Sequence, residues 1–154
     1  GADDYMTKPF APEELLARYI TSVGRNSNLL VGMCISQRGH FEDTWQFERF
    51  GELVADIYKS PAATTRGSGD EFILRFEHSE PIRYIVIKED IHYGERVREF
   101  TVEIDDGGGF KPCFDARCIG HKRIIELGAN VSAVRLKLSK AVDTPIIKEF
   151  TCYR

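Results

Sequence analysis

The sequence predicts an α+β protein in which a helix–strand–helix segment precedes a mostly antiparallel β-sandwich. Three observations favour this fold class. Apolar residues recur at helical spacing in two segments before residue 60, a run that is apolar on both faces lies between them, and short alternating runs separated by turns follow residue 70. The composition, with 42% hydrophobic and 29% charged residues among 154, is typical of a packed globular protein.

The first predicted helix covers about residues 12–23. Pro12 suits the first turn of a helix, and the acidic pair Glu13 and Glu14 complements the positive end of the helix dipole. Gly24 is a natural stop. The apolar residues at helical spacing between these signals are Leu15, Leu16, Tyr19, Ile20 and Val23.

A strand and a second helix are predicted next. Residues 28–35 are apolar on both faces, which is typical of a strand covered on both sides. The second helix begins at about Asp43. Its apolar face consists of Phe47, Phe50, Val54 and Ile57. A single strand between two helices cannot bury both of its faces, so we expect the sandwich, a second copy of the chain or further protein to cover it.

The small, polar, Gly-rich segment 60–70 predicts a boundary between two domains, residues 1–60 and residues 61–154. After it, strands are predicted at 72–76, 84–87, 98–104, 134–138 and 146–153. Alternation places Phe100, Val102 and Ile104 on one face of their strand, and Val134, Leu136 and Leu138 on one face of theirs. The sequence from Asp105 to Gly109 predicts a hairpin turn. Short strands at this spacing indicate an antiparallel sandwich.

Charge and hydropathy exclude several classes of partner. The net charge is −3, and Arg and Lys form no basic block, so we expect no nucleic-acid partner and no binding to anionic membranes. No apolar run approaches the roughly 18 residues of a membrane span. The first residues, Gly1 to Asp4, lack the basic and apolar regions of a signal peptide, so none is predicted within this sequence.

The four cysteines, Cys34, Cys113, Cys118 and Cys152, form no CxxC pair. A zinc site built from Cys113, Cys118 and His121 would lack the usual close pairing, and free thiols are the simpler interpretation. We therefore expect no metal site and no other cofactor. A disulfide between Cys113 and Cys118 in an oxidising compartment is left open.

Two stretches resemble the α-L-fucosidases of glycoside hydrolase family 29. The sequence from Ser22 to Leu30, SVGRNSNLL, is similar to the last barrel strand of that family with its lead-in. The segments YIVIKEDI (84–91), GERV (94–97), FTVE (100–103) and IGHKRI (119–124) look like its C-terminal β-sandwich. The likeness extends from about Pro12 to Arg154, and the order and separation of the two stretches make it specific.

This resemblance implies that residues 12–58 are the closing units of a truncated (β/α)₈ barrel, followed by a galactose-binding-like sandwich. A complete barrel needs about 200 residues or more. The family's nucleophile and acid/base carboxylates precede the SVGR-type motif, and no position here matches either of them. The resemblance therefore implies a C-terminal fragment of a retaining enzyme, inactive alone, whose parent is secreted or periplasmic. Its expected partners are a fucosylated glycan, bound through the parent enzyme, and the rest of the barrel or another copy of the chain.

Candidate binding residues occur in both parts. Because barrel sites lie at the carboxyl ends of strands, the rim of the substrate pocket is predicted at Met33, Ser36, His40 and Trp45. The simpler interpretation of His40 is an exposed loop residue, and that of Trp45 is a helix-start aromatic that packs on its neighbours. A sugar site in the sandwich is predicted at Tyr93, Arg96, His121 and Arg123. The simpler interpretation of these charged side chains is an ordinary solvated surface.

Two other functions remain open. One is a stand-alone galactose-binding-like carbohydrate-binding module. The other follows from the sequence of residues 1–16, which resembles the end of a response-regulator receiver domain, with Lys8 and Pro9 matching its Lys-Pro pair. The phosphoacceptor and the acidic pair of a receiver domain are not in the sequence. That resemblance therefore implies at most a receiver-domain remnant fused to a sandwich.

Overall fold

The computed structural model describes residues 10–33, 35–41 and 44–154, and it confirms the α+β class. The helices are α1 (Pro12–Ser22) and α2 (Thr44–Ile57). The strands are β1 (Pro61–Ser68), β2 (Glu71–Glu89), β3 (Val97–Asp105), β4 (Phe110–Ala116), β5 (Arg123–Ala141) and β6 (Ile146–Tyr153). One short 3₁₀ turn, Ile91–Tyr93, follows β2. Both predicted helices are thus present, while the Lys8–Pro9 pair of the receiver-like segment lies outside the described residues.

The six strands form one antiparallel sheet in the order β1-β6-β2-β5-β3-β4. The central strands β2 and β5 each have 19 residues, and their pairing is irregular between Arg75 and Glu80. The first half of β2 pairs with the part of β5 that also pairs with β3, whereas the second half of β2 pairs with β6 as well. Each long strand therefore passes through two layers.

The two layers enclose one hydrophobic core. The first half of β2 contributes Phe72 and its second half contributes Ile85, while Phe100 of β3 and Phe150 of β6 are also buried there. Side chains from both ends of the folded sheet therefore share one interior, which gives the sandwich-like arrangement. The predicted alternation is confirmed, because Phe100, Val102, Val134, Leu136 and Leu138 are buried and Ile104 packs against the same core.

The helices cover the outer face of one layer. Ile20 of α1 and Ile57 of α2 are buried in a second cluster with Tyr84, Ile124 and Tyr153 of the sheet. Residues from the two parts that the sequence assigns to different domains thus pack directly together. Burial of this apolar surface stabilises the contact.

The predicted strand at 28–35 is not formed in the described residues. Residues 28–33 have no regular secondary structure, and an isolated bridge between Ile35 and Phe41 is the pairing that the structure describes nearby. Leu30 is 94% exposed. A strand needs a hydrogen-bonded neighbour, and the described residues supply none to this run. The apolar composition of this run therefore predicted its burial, but composition could not identify a chain segment that would bury it.

Two local predictions in the sandwich have different outcomes. The hairpin between β3 and β4 is confirmed, with the Asp105 carboxylate accepting hydrogen bonds from the backbone N–H groups of Gly107 and Gly109 at 2.8 and 3.0 Å. Residues 61–68, predicted as part of a connection, instead form the edge strand β1. Their small side chains allow this because Ala62 and Ala63 pack against the core while the backbone pairs with β6.

Among the described residues, no helix combines the length and the apolar character that crossing a membrane requires.

Candidate functional site

The chain between α1 and the apolar run is bound to the sandwich through backbone hydrogen bonds. The Ile124 N–H donates to the Gly24 carbonyl over 2.9 Å, and the Asn26 N–H donates to the Lys122 carbonyl over 3.1 Å. A Cβ on Gly24 would lie 2.3 Å from the Ile20 carbonyl oxygen and 2.9 Å from the Ile124 Cβ. Only glycine therefore permits this close approach. The SVGR stretch is thus a contact surface for the sandwich.

Asn26 extends this contact with its side chain. Its Nδ2 donates to the Glu95 carboxylate over 2.7 Å, and its Oδ1 accepts from the His121 N–H over 2.7 Å. Asn26 has φ of +62°, a left-handed conformation that asparagine adopts more readily than most residues. We call the group of Gly24, Asn26, Glu95, Gly120 and His121 the Asn26 junction.

A buried carboxylate supports the same loops. Glu89 is 2% exposed and accepts hydrogen bonds at Oε1 from the N–H groups of Arg96 (2.5 Å) and Val97 (3.0 Å). Its Oε2 accepts from the Gly120 N–H over 3.4 Å. Three backbone donors compensate for the loss of water around this carboxylate. Glu89 therefore joins the loop after β2 to the loop before β5.

Tyrosines fill the contact between the helices and the sheet. The Tyr19 and Tyr58 hydroxyls are hydrogen-bonded at 2.9 Å, and the Lys122 ammonium donates to the Tyr19 oxygen over 3.3 Å. Burial, together with the Tyr19 hydroxyl, raises the pKa of Tyr58 well above its ordinary value. Burial and the neighbouring Glu149 carboxylate also raise the pKa of Tyr153, whose ring meets that of Tyr58 edge-on. The Tyr58 and Tyr153 phenols are therefore kept neutral and act as structural hydrogen-bonding groups.

The four residues predicted at a pocket rim lie in or beside a small exposed hairpin. The Ser36 N–H donates to the His40 carbonyl over 2.9 Å, and the His40 N–H donates to Ser36 Oγ over 3.1 Å. Met33 precedes this turn and is 47% exposed, while Trp45, in the first turn of α2, is 61% exposed. The structure thus brings Ser36 and His40 together, and it leaves the Met33 and Trp45 side chains accessible.

The four residues predicted as a sugar site in the sandwich have separate environments. Tyr93 is 73% exposed on the 3₁₀ turn, and His121 is an exposed residue of the Asn26 junction. Arg96 donates to the Thr144 carbonyl over 2.7 Å. Arg123 lies over the rings of Phe100 and Phe114, where burial lowers the pKa of its guanidinium. Both arginines are therefore engaged within the chain, and only Tyr93 and His121 present free side-chain surface.

The cysteines of the described part are free thiols. Cys113 is exposed, Cys118 is half-buried and Cys152 is buried, and burial raises the pKa of Cys152 to about 12. No group of three His, Cys, Asp or Glu side chains within residues 10–33, 35–41 and 44–154 has the arrangement of a metal site.

Comparison with solved structures gives the fold a family context. An α-L-fucosidase candidate of Bacteroides thetaiotaomicron superposes with a TM-score of 0.90 at 27% identity, over 94% of this chain and 34% of that one. A glycoside hydrolase family 29 member from an unknown rumen bacterium gives 0.83 at 28% identity, over 93% and 28%. A family 29 fucosidase of Ruminococcus gnavus, determined with fucose, shares the fold at 18% identity, with a TM-score of 0.80.

The resemblance predicted from the sequence is confirmed. The chain resembles the C-terminal part of family 29 α-L-fucosidases. It spans only 34% and 28% of the first two structures just described, so this fucosidase-like chain corresponds to about a third of such proteins. No protein-family model and no curated protein sequence matches it.

Proposed function

We propose that this chain is the C-terminal portion of a retaining α-L-fucosidase-like glycoside hydrolase, in which the sandwich supports the catalytic barrel. The observation that carries the proposal is the apolar run 28–35, whose described residues are exposed or half-buried and have no neighbouring strand in the described part of the chain. The share of each fucosidase-like structure that the chain covers supports the same interpretation.

In this proposal the two catalytic carboxylates belong to the remainder of the barrel. A retaining glycosidase needs a nucleophile and an acid/base residue about 5 Å apart on either side of the scissile bond. The part of the chain proposed to enter the barrel, residues 12–58, contributes its last strand and two helices. The chain by itself is then inactive, and its role is to complete the barrel and to hold it against the sandwich.

The position of the Asn26 junction indicates how far the predicted rim residues lie from the sandwich. The junction fixes the beginning of the run 28–35 against the sandwich. If that run extends as a barrel strand, its rise of about 3.3 Å per residue carries Met33 about 23 Å and Ser36 about 33 Å from Asn26. Barrel sites lie at the carboxyl ends of strands, so we place the rim residues at the substrate end and His121 at the opposite end.

The same proposal covers the partners. We expect the remainder of the barrel to pack against the run 28–35. When the barrel is missing, we expect a second copy of this chain to pack there instead. A fucosylated glycan is the substrate proposed for the complete enzyme. A stand-alone galactose-binding-like module, the alternative interpretation, gives the apolar run 28–35 no role.

The upstream coding sequence tests the proposal directly. We expect it to encode barrel strands that carry the two carboxylates, and we expect the longer protein to hydrolyse 4-nitrophenyl α-L-fucoside. The 154-residue chain assayed in parallel serves as the control and is expected to show no turnover. Hydrolysis by the homogeneous chain alone, or an upstream sequence without a barrel, would overturn the proposal.

A second test addresses the exposed run. Leu30→Asp places a charge in the middle of it, so we expect the chain to lose self-association in sedimentation velocity while its melting temperature stays unchanged. Val142→Asp is the matched control, because Val142 is 65% exposed on the sandwich and lies outside the run. Equal effects of the two substitutions, or a wild-type chain that is monomeric at all concentrations, would contradict self-association through this run.

A further inference from the structure

An open groove of about 700 Å³ lies on the outer face of the layer that contains β1 and β6. We call it the β1–β6 groove. Its lining includes Thr64, Arg66, Lys148, Glu149, Thr151 and Tyr153. This volume falls within the range of about 300–1,000 Å³ that is usual for small-molecule sites. The groove lies apart from both the predicted rim and the Asn26 junction.

The groove carries positive charge although the whole chain has a net charge of −3. Glu149 is its one acidic lining residue among those described, and the Lys88 ammonium neutralises it over 2.5 Å. Glu149 also accepts a hydrogen bond from the Tyr153 hydroxyl over 3.2 Å. Within the described part of the chain, Arg66 and Lys148 form no ion pair. Two cationic groups are therefore available to a ligand.

The neutral part of the lining offers hydroxyl groups. The Thr64 and Thr151 hydroxyls are hydrogen-bonded to each other at 2.7 Å, and the exposed Thr64 oxygen keeps a lone pair that can accept a hydrogen bond from a ligand hydroxyl. Thr151 and Tyr153 belong to the strand β6, which is paired on both sides with β1 and β2, so the floor of the groove is rigid. A fixed hydroxyl floor between two cations suits a ligand that is itself rich in oxygen atoms.

We propose that the β1–β6 groove binds an acidic saccharide, with Arg66 and Lys148 contacting its sulfate or carboxylate groups. Hydrogen bonds from these cations to an anionic oxygen are about twice as strong as neutral ones. The choice of a saccharide rests on the proposed fucosidase-like function, whereas the choice of an anion rests on the charges of the groove alone. In this proposal the groove holds the longer protein on a charged glycan.

The experiment uses isotope-labelled chain and four probes at low salt: a chondroitin 4-sulfate tetrasaccharide, unsulfated chondroitin tetrasaccharide, neutral chitotetraose and a tetra-glutamate peptide. We expect amide shifts confined to Thr64–Arg66 and to Lys148–Tyr153 with at least one of the acidic saccharides. The sulfated and unsulfated probes distinguish sulfate from carboxylate recognition. Shifts elsewhere, no shifts with either acidic saccharide, or equal binding of chitotetraose or of the peptide would overturn the proposal.

Two double variants distinguish binding in the groove from a general effect of the positive charge of the chain. Arg66→Ala with Lys148→Ala is expected to weaken binding by at least about tenfold, equivalent to the loss of one charge-assisted contact. Arg38→Ala with Arg117→Ala removes the same charge from exposed positions outside the groove, and it is expected to change affinity by less than about twofold. Equal losses in the two pairs would contradict the proposal. Amide-shift mapping on the unmodified chain tests the proposal even if the variant that combines Arg66→Ala with Lys148→Ala fails to fold.

The longer protein supplies the last control. If its upstream segments protect Thr64–Arg66 and Lys148–Tyr153 from hydrogen exchange, the groove is a barrel contact and the saccharide proposal fails. This outcome is distinguishable from failure of the proposed function, because hydrolysis of the aryl fucoside is measured independently of saccharide binding.

Discussion

Asn26 and Glu95 are 69 positions apart in the sequence, yet the Asn26 side-chain amide donates to the Glu95 carboxylate over 2.7 Å. The second half of the same amide accepts from the His121 N–H at the same distance. One asparagine thus joins the end of the first helical segment to two loops of the sandwich. Because Asn26 also has a left-handed backbone, its replacement affects both hydrogen bonding and conformation.

Asn26→Ala is expected to lower the free energy of unfolding by about 3 kcal/mol, from two lost hydrogen bonds and the cost of a left-handed alanine. Asn26→Gly, which tolerates this φ, is expected to cost about 1 kcal/mol less. Urea denaturation measures both. Asn28→Ala, at an exposed position two residues later, is the control and should stay within about 0.5 kcal/mol of wild type. Equal stability of the Asn26→Ala and Asn28→Ala variants would rule out the junction as a stabilising contact.

Two glycines with almost the same φ angle allow the steric cost of an added side chain to be separated from its conformational cost. Gly120 has φ of +64° and Gly128 has φ of +63°. A Cβ at Gly120 would lie 2.1 Å from the Asn26 side chain, whereas a Cβ at Gly128 would meet no atom within 4 Å. Gly128→Ala should cost about 1–2 kcal/mol, and Gly120→Ala at least about 2 kcal/mol more. Similar melting temperatures for the two variants would show that the junction can move aside.

Glu89→Gln tests the buried carboxylate without changing its size. The substitution replaces an accepting oxygen by an NH₂ group that faces a backbone N–H, so we expect a loss of about 2 kcal/mol in the free energy of unfolding. Glu99→Gln, at an exposed position on β3, is the control. If Glu89→Gln were as stable as Glu99→Gln in urea, the three backbone hydrogen bonds would have no net effect.

Tyr58 should make stability depend on alkaline pH. An unfolded tyrosine ionises near pH 10, whereas folded Tyr58 has a raised pKa and keeps its proton. The contribution of Tyr58 to the free energy of unfolding is therefore complete below pH 10, and it is lost as the pH rises toward the raised pKa of folded Tyr58. Tyr58→Phe removes this group, at a cost of about 1 kcal/mol at neutral pH for the lost Tyr19 hydrogen bond.

The measurement for Tyr58 is the slope of unfolding free energy against pH between 9 and 11. We expect a steeper fall for wild type than for Tyr58→Phe. A residual slope should remain in the variant, because Tyr153 has a raised pKa for the same reason, burial. Parallel curves for the two proteins would contradict the assignment of this effect to Tyr58.

Features that depend on near neighbours in sequence were predictable. The burial of Phe100 and Val102 follows from alternation along one strand, and the turn at Asp105 follows from its glycines. The contacts of Asn26 could not be predicted, because its partners lie 69 and 95 positions away. An asparagine in a short polar segment between a helix and an apolar run looks like an ordinary loop residue. The burial of Glu89 was not predicted, because its three hydrogen-bond donors are backbone N–H groups, which cannot be recognised from the amino-acid sequence.

The error at 28–35 has a different origin. Composition reports how apolar a run is, but strand formation depends on a second chain segment at hydrogen-bonding distance. Leu30 is apolar, and the sequence therefore predicts its burial, but it is 94% exposed in the described chain. The predicted rim at Met33, Ser36, His40 and Trp45 depends on that missing pairing, so it stays a prediction.

The cluster around Ile57, Tyr84, Ile124 and Tyr153 limits how the protein can be divided. A shortened version that starts at Pro61 would leave the outer faces of Tyr84, Val86 and Tyr153 in water, and such a patch favours aggregation. The chain therefore cannot be divided at residue 60 without exposing this apolar surface. Any gene rearrangement that transfers the sandwich to another protein has to carry the two helices with it.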